Sequence, residues 1–283
     1  MHAQSPSLEE LARRAVDGDA AALRIVCTAL ESPLYRLSVR ILADPSAAED
    51  ATQEVLIKVV THLASFEGRS ALTTWAHRIA VRHLLEMKKS RAEERALDEE
   101  TIAALLEQGM AFGAQAPAPT AEDQALVHEI RLSCTQGMLL VLGRDERLAL
   151  VLVDLLGFDG AEAASIAEVA HDAFRQRLAR ARLKLGDFLR ARCGVVEKKA
   201  ACRCDGQVAA KKSLGHTKLR YLPLAREDLP LPAATATASA ELRAARAVVV
   251  AFHQGGLLEA PESLRARLEL ALPTLLESPR APA

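Results

Sequence analysis

The sequence predicts an all-α protein of two helical domains followed by a helical C-terminal extension. Three observations carry this. Ala, Leu, Arg and Glu, all good helix formers, dominate a chain of 283 residues that is 50% hydrophobic and 26% charged. Runs of Val, Ile and Thr alternating with polar residues are almost absent, and aromatics make up only 3%. Capping residues recur along the chain, each followed by apolar residues at helical spacing.

In chain order, Ser7 with Glu10 forms a capping-box pattern for a first helix. Gly18-Asp19 marks a short break, and a second helix is expected to run to about Ala43, interrupted or kinked at Pro33. Asp44 with Pro45, or Ser46 with Glu49, starts a third helix. Glu49, Asp50 and Glu54 lie at its positive end. Val55, Leu56, Val59, Val60 and Leu63 form its apolar stripe. FEGRSALTT reads as a loop. WAHRIAVRHLLEMKKSR reads as the next helix, with Trp75 and Ile79 inward.

GMAFGAQAPAPTAED has linker composition. Helices resume near Glu122. GFDGAEAASIAEVAHDAFRQRLARARLKLGDFLRARC then reads as a short helix, a tight turn and a long basic helix. LPLAREDLPLPAATATASA is a second linker, and Ala240–His253 and Pro261–Leu276 read as two closing helices. The expected boundaries are residues 1–92 for the first domain, 93–125 for a linker, 126–190 for the second domain and 191–283 for the extension.

Net charge is −1, but it is segmented. Residues 171–220 hold fourteen Lys and Arg against four acids, and Gly68–Arg91 holds six against one. Ala92–Glu107 reverses the sign, with six acids against Arg95. Two separate basic patches suit a nucleic-acid binder, and equally two solvated helix faces. No uncharged apolar run reaches the roughly 18 to 20 residues of a membrane span. The N-terminus lacks a secretory pattern, so a cytoplasmic chain with reduced thiols is expected. HExxH, GxxxxGK[ST], GxSxG and GxGxxG do not occur, so no catalytic residue is assigned and no enzyme is expected.

Two blocks carry a family resemblance. AEDATQEVLIKVVTHLASFEGRSALTTWAHRIAVRHLLEMKKSR (48–91) resembles region 2 of the alternative sigma factors of bacterial RNA polymerase, extracytoplasmic-function group. LVDLLGFDGAEAASIAEVAHDAFRQRLARARLKL (152–185) resembles region 4. CTQGMLLVL, RCGVVEKKAACRCDGQV and EAPESLRARL resemble a subgroup with a cysteine-containing extension. Two departures stand out. Arg82 occupies the place where region 2 usually has Asn, and Ala170-His171-Asp172 replaces the Gly turn and Ser or Thr cap of the helix-turn-helix.

The resemblance implies binding to core RNA polymerase, at the clamp helices of its largest subunit, through Asp50, Gln53, Glu54 and Lys58. It implies that the 66–74 loop and the following helix capture the −10 element. Since aromatics are scarce, that grip is expected from Arg69, Arg78, Arg82, Lys88, Lys89 and Arg91 around Trp75, which is read mainly as core. A base-accepting pocket is expected near residues 67–73.

The basic helix has its own pattern. Phe174, Leu178, Ala181, Leu185 and Leu189 share one stripe, with Arg175 and Arg182 on one shoulder and Arg177, Arg180 and Lys184 on the other. A helix in the major groove needs this arrangement. Base readout at −35 is expected from His171, Asp172, Arg175 and Gln176, and phosphate contacts from the later cations.

Cys193-x8-Cys202-x-Cys204 does not match paired CxxC zinc spacing. A zinc site with Cys134 or His216 as fourth ligand, a thiol redox switch, and incidental cysteines all remain open, and no cofactor is assigned. The expected function is an alternative sigma factor whose extension regulates it in cis by packing on one or both domains. An anti-sigma partner is left open. A helix-turn-helix regulator acting without polymerase and a non-DNA adaptor are the alternatives.

Overall fold

A computed structural model of the chain describes residues 6–90, 93, 99–117, 120–213, 223–225, 240–253 and 257–277. Four helices build the first domain: α1 (Leu8–Val16), α2 (Ala20–Leu42), α3 (Pro45–His62) and α4 (Leu72–Glu86). Ser7 accepts from the Glu10 N–H at 3.1 Å, as its capping role predicts. Asp44 rather than Ser46 caps α3, accepting from the Ser46 and Ala47 N–H groups with Pro45 in the first turn. α2 runs through Pro33 without a break, contrary to the expected interruption. Its face is buried along nearly its whole length, and packing against α1, α3 and α4 outweighs one lost backbone bond. Val55, Leu56, Val59, Val60 and Leu63 are all buried, as their spacing requires. Gly68, at φ 72, makes the left-handed turn before α4.

The presumed linker is largely helical. α5 (Glu99–Ala114) spans much of the acidic segment 92–107, which reads as a short helix, and runs on into the start of the stretch read as linker; α6 (Gln124–Leu139) follows a turn in which the Thr120 N–H donates to Asp123 at 2.9 Å. α5 persists because its two glycines are a contact surface. A Cβ on Gly109 would fall 1.7 Å from the Gln207 amide oxygen, and one on Gly113 would fall 2.0 Å from the Gly206 carbonyl.

The second domain holds α7 (Arg144–Leu150), continued by a π-turn at Val151–Leu155, then α8 (Gly160–Ile166) and α9 (His171–Arg192). α10 (Val208–Ser213) packs on α5 and α6. α11 (Ala240–His253) and α12 (Glu262–Glu277) fall within a residue or so of the two closing helices read from sequence. Among the described residues the one sheet is a two-stranded antiparallel pair, Pro223–Ala225 with Leu257–Leu258, so the fold is otherwise all α. α11 lies along α9, and α12 lies across α3 and α2. One continuous apolar core therefore joins both domains and the extension.

Candidate nucleic-acid interface

α8 and α9 form the helix-turn-helix. The Asp159 carboxylate caps α8, accepting from the Ala161 and Glu162 N–H groups at 2.8 Å each. In the turn, where glycine is usual, Glu168 holds φ 54, which costs roughly 1–2 kcal/mol for a side chain with a Cβ. Ala170 begins α9 without a side-chain cap, and Asp172 instead faces Arg175 at 3.7 Å. Phe174, Leu178, Ala181, Leu185 and Leu189 are all buried. His171, Asp172, Arg175 and Gln176 stand exposed in the first turns.

The shoulders divide. Arg177 meets Asp145 at 3.6 Å and Arg180 meets Glu146 at 3.3 Å, both at the surface, where such pairs are weak enough to exchange for phosphate. Arg182 is committed elsewhere. Its side chain is 19% exposed, and it bonds the buried Asp154 at 2.7 Å and Glu241 of α11 at 2.8 Å. Lys184 donates to the Val141 carbonyl at 2.8 Å. In this conformation both expected phosphate contacts are therefore engaged within the chain, Arg182 by acids of the π-turn and α11 and the exposed Lys184 by a carbonyl in the loop between α6 and α7, and phosphate contact by either requires those bonds to open.

On the first domain, Trp75 is half-buried, stacked at 5.5 Å and 55° against Phe66. It lines an open cavity of about 400 Å³ with Lys58, His62, Arg78, Arg82 and His83. Lys58 Nζ donates to His83 Nδ1 at 2.8 Å. That leaves the ring proton on Nε2, facing Glu54 at 3.4 Å. Burial, and then the Lys58 charge, push the His83 pKa down, so the ring stays neutral. Lys58 thus lines this cavity, and Glu54, one turn before it and one turn after Asp50 on α3, faces His83 beside it. Gln53 is half-buried on the same helix. Arg69 is exposed and pairs with Glu67 at 2.5 Å. Lys88 and Lys89 are exposed beyond the end of α4, where the sequence led us to expect more helix. Arg91 lies outside the described residues.

The model for sigma-70 region 2 matches residues 27–94, the bundle just described. Over that segment the chain carries a sigma-70 region 2, and along more of its length it is similar to extracytoplasmic-function sigma factors. Over 188 residues it is 29% identical to "ECF RNA polymerase sigma factor SigE" of Mycolicibacterium smegmatis, an alignment spanning 66% of this chain and 63% of that protein. Over 177 residues it is 29% identical to the "Probable RNA polymerase sigma-C factor" of Mycobacterium bovis, covering 61% and 85%. A 73-residue match, 34% identical, spans 38% of the "RNA polymerase sigma-H factor" of Pseudomonas aeruginosa. The solved complex of sigma factor RpoE with anti-sigma factor NepR from Bartonella quintana aligns with 63% of this chain and 96% of that chain, at TM-score 0.37 and 21% identity. Among the described residues no helix is long and apolar enough to cross a membrane.

The basic face of α4 and the helix-turn-helix, the two candidate DNA-contact surfaces, are folded onto each other. Arg78 donates to the Ser165 hydroxyl at 3.0 Å, Arg82 pairs with Glu168 at 2.7 Å, and Thr74 bonds Glu162. The first helix of the helix-turn-helix therefore lies on the basic face of α4. His77 is buried in the same seam, edge-on to Phe158 at 4.8 Å.

A hub invisible in the sequence fastens the seam at its far end. Arg144 grips Glu93 with Nε at 2.7 Å and Nη2 at 2.6 Å, and donates to the Met87 carbonyl at 2.8 Å. Arg147, buried, donates to the carbonyls of Leu139, Leu142 and Ile41 and to Glu93. Burial pushes the Glu93 pKa up, but the Arg144 fork, the Ser90 N–H and Arg147 outweigh it and hold the carboxyl below its ordinary range. The only sequence signal was the alternation of the acidic segment with the following basic residues, which names no partners.

The extension packs on both domains. Arg267 bonds Asp50 at 2.8 Å and lies 3.5 Å from Glu49, and Ser263 donates to Glu49 at 2.7 Å. Arg36 donates to the Leu258 carbonyl at 2.7 Å. Leu264 and Leu268 bury their side chains beside them. On region 4, Gly186 receives α11 so closely that a Cβ there would lie 2.6 Å from Ala244. Arg40 of α2 is buried under the Phe252 ring at 5.6 Å. Burial, then Arg36, drives its pKa down to about 10.

Cys27 is a core thiol, pushed up to about 12 by burial. Cys134, Cys193, Cys202 and Cys204 are free thiols, and the last three lie in the segment that follows α9. Among the described residues no three His, Cys, Asp or Glu side chains form a group that could hold a metal ion. His216 lies outside the described residues.

Proposed function

We propose that the chain is an alternative sigma factor that binds core RNA polymerase in the cytoplasm and directs promoter-specific initiation. On this reading the chemistry belongs to the polymerase and the chain is not an enzyme. One observation carries it: a region 2 bundle and a one-face-anchored basic helix-turn-helix stand on the same chain. Region 2, residues 1–92, docks on the clamp helices through Asp50 with Gln53, Glu54 and Lys58. It holds the melted −10 strand along Arg69, Arg78, Arg82, Lys88, Lys89 and Arg91, with Trp75 at the cavity. Region 4, residues 126–190, reads −35 through His171, Asp172, Arg175 and Gln176, with Arg177 and Arg180 on the phosphates.

In the form described, the factor is closed. Asp50 is held by Arg267, and Arg78 and Arg82 are held by α8. The extension then acts in cis, by competing with polymerase for α3. In vitro transcription with core polymerase and this chain tests the reading. Promoter-directed transcripts are expected, and deletion of residues 221–283 raises their yield and the affinity for polymerase. Duplex binding without polymerase association would instead favour a free-standing regulator. Unchanged affinity after deletion would remove the cis role.

A further inference from the structure

The end of α9 holds two cysteines side by side. The Cys193 N–H closes the last turn on the Leu189 carbonyl at 2.8 Å, and the chain then doubles back. Cys193 and Cys202 form an isolated parallel bridge. The Gly194 N–H donates to the Cys202 carbonyl at 3.0 Å, and the Cys202 N–H donates to the Arg192 carbonyl at 3.4 Å. Backbones paired this way run about 4.8 Å apart. That spacing falls inside the roughly 4.4–6.8 Å between α-carbons that a disulfide spans. Side chains of facing residues in a parallel pair leave the ribbon on the same side. Both thiols are free and half-buried. Cys204 hydrogen-bonds Arg131 of α6 and lies within electrostatic reach of Cys193, Cys202 and Cys134, and burial pushes its thiol up; the backbone bridge singles out Cys193 and Cys202 as the facing pair. Cys134, deeper still, is also pushed up by burial.

We propose that Cys193 and Cys202 are a dithiol–disulfide pair, oxidised by a hydroperoxide. The Cys193 thiolate attacks the peroxide O–O bond, taking one oxygen as a sulfenic acid and releasing water once the leaving oxide is protonated. Cys202 Sγ then attacks the sulfenic sulfur, forming the S–S bond and expelling the oxygen as a second water. Two thiols and one hydrogen peroxide become one disulfide and two waters.

The bond fixes the loop that docks the extension onto the linker. Gln207, five residues past Cys202, donates to the Leu106 carbonyl of α5 at 3.0 Å and to Cys202 Sγ at 3.6 Å. It sits over Gly109, where any side chain would collide with it. Oxidation therefore staples the end of region 4 to the loop that grips the linker helix. This chemistry does not rest on the sigma-factor reading.

The chain's own basic residues make the test direct. Trypsin cuts after Arg192, Lys198, Lys199 and Arg203, so Cys193, Cys202 and Cys204 fall on three separate peptides. The reduced full-length chain is treated with hydrogen peroxide, its remaining thiols are alkylated, and the digest is read by mass spectrometry. Two of the five thiols are expected to disappear, with residues 193–198 covalently joined to 200–203. Cys193→Ser and Cys202→Ser each abolish the link, and Cys204→Ser and Cys134→Ser retain it. A link involving Cys204 or Cys134, links only between chains, or sulfinic acid without a link overturns the proposal. So does a chain that purifies with stoichiometric zinc and resists alkylation at these thiols.

Discussion

The extension's hold on region 2 can be weakened at one side chain. Leu264 of α12 is fully buried against α3 and α2. Leu→Ala at such a site costs about 2–5 kcal/mol in lost transfer energy and cavity. α12 packs on α3 and α2 from outside the four helices of the first domain, and where it undocks with them intact that cost falls on docking. On the proposed reading polymerase and α12 compete for the surface around Asp50, and apparent affinity then scales with the fraction of chain that is open. At the lower figure, about 2 kcal/mol, the open fraction and the affinity of Leu264→Ala rise about thirtyfold while the closed form still dominates. By contrast, Arg267→Ala removes pairs to Asp50 and Glu49 from a side chain 38% exposed. Such pairs are worth about 0–1 kcal/mol, so at most about a fivefold gain is expected. The assay is a fluorescence-anisotropy titration of the labelled chain with core polymerase, alongside amide exchange on residues 262–277. Faster exchange in α12 with affinity unchanged within twofold would refute the reasoning, because the extension would then be shown to leave without freeing a docking site.

Other expectations follow from the same contacts. Arg182→Ala strands the buried Asp154 and should destabilise the second domain by about 3–5 kcal/mol in denaturant unfolding, whereas Arg175→Ala should leave stability intact, weaken binding to the preferred duplex by about 1–3 kcal/mol and relax base preference at its position. Gly186→Val, where α11 approaches closest, should expel α11 and speed amide exchange over residues 240–253 while region 4 stays folded by circular dichroism. Arg40→Met replaces a buried guanidinium whose Nε and Nη1 have no acceptor among the described residues, and should raise stability by about 1–4 kcal/mol in chemical denaturation. Burial lowers the His77 pKa, so below about pH 6.5 the unfolded chain binds a proton that the folded chain resists. The thermal midpoint should therefore hold above pH 7 and fall as pH drops through 6.5 toward the folded value. His77→Gln should flatten part of that fall, with His83 supplying the rest in the same direction.

Much of the helical layout follows from local chemistry that a sequence displays. Ser7, Asp44 and Asp159 cap where hydrogen-bonding geometry demands, and the stripe from Phe174 to Leu189 turns inward because 3.6-residue periodicity leaves it no other side. The two closing helices were legible for the same reason. Composition misled where packing overrode it: the stretch through Gly109 and Gly113 reads as linker, yet those glycines let Gln207 and Gly206 approach a helix. Pro33 was tolerated because α2 is buried on nearly every side.

Which charges are free is a long-range matter, and periodicity does not report it. Arg175 and Arg182 look alike in FRQRLARARLKL, but only the second lies between Asp154 and Glu241, residues 28 and 59 positions away. Glu93 finds Arg144 and Arg147 across more than fifty residues, and Asp50 finds Arg267 across 217. The sequence by itself determined most of the helices and their buried faces. Tertiary structure alone decided that the domains close on each other and that the extension seals them, because pairing between distant charges depends on where the chain returns.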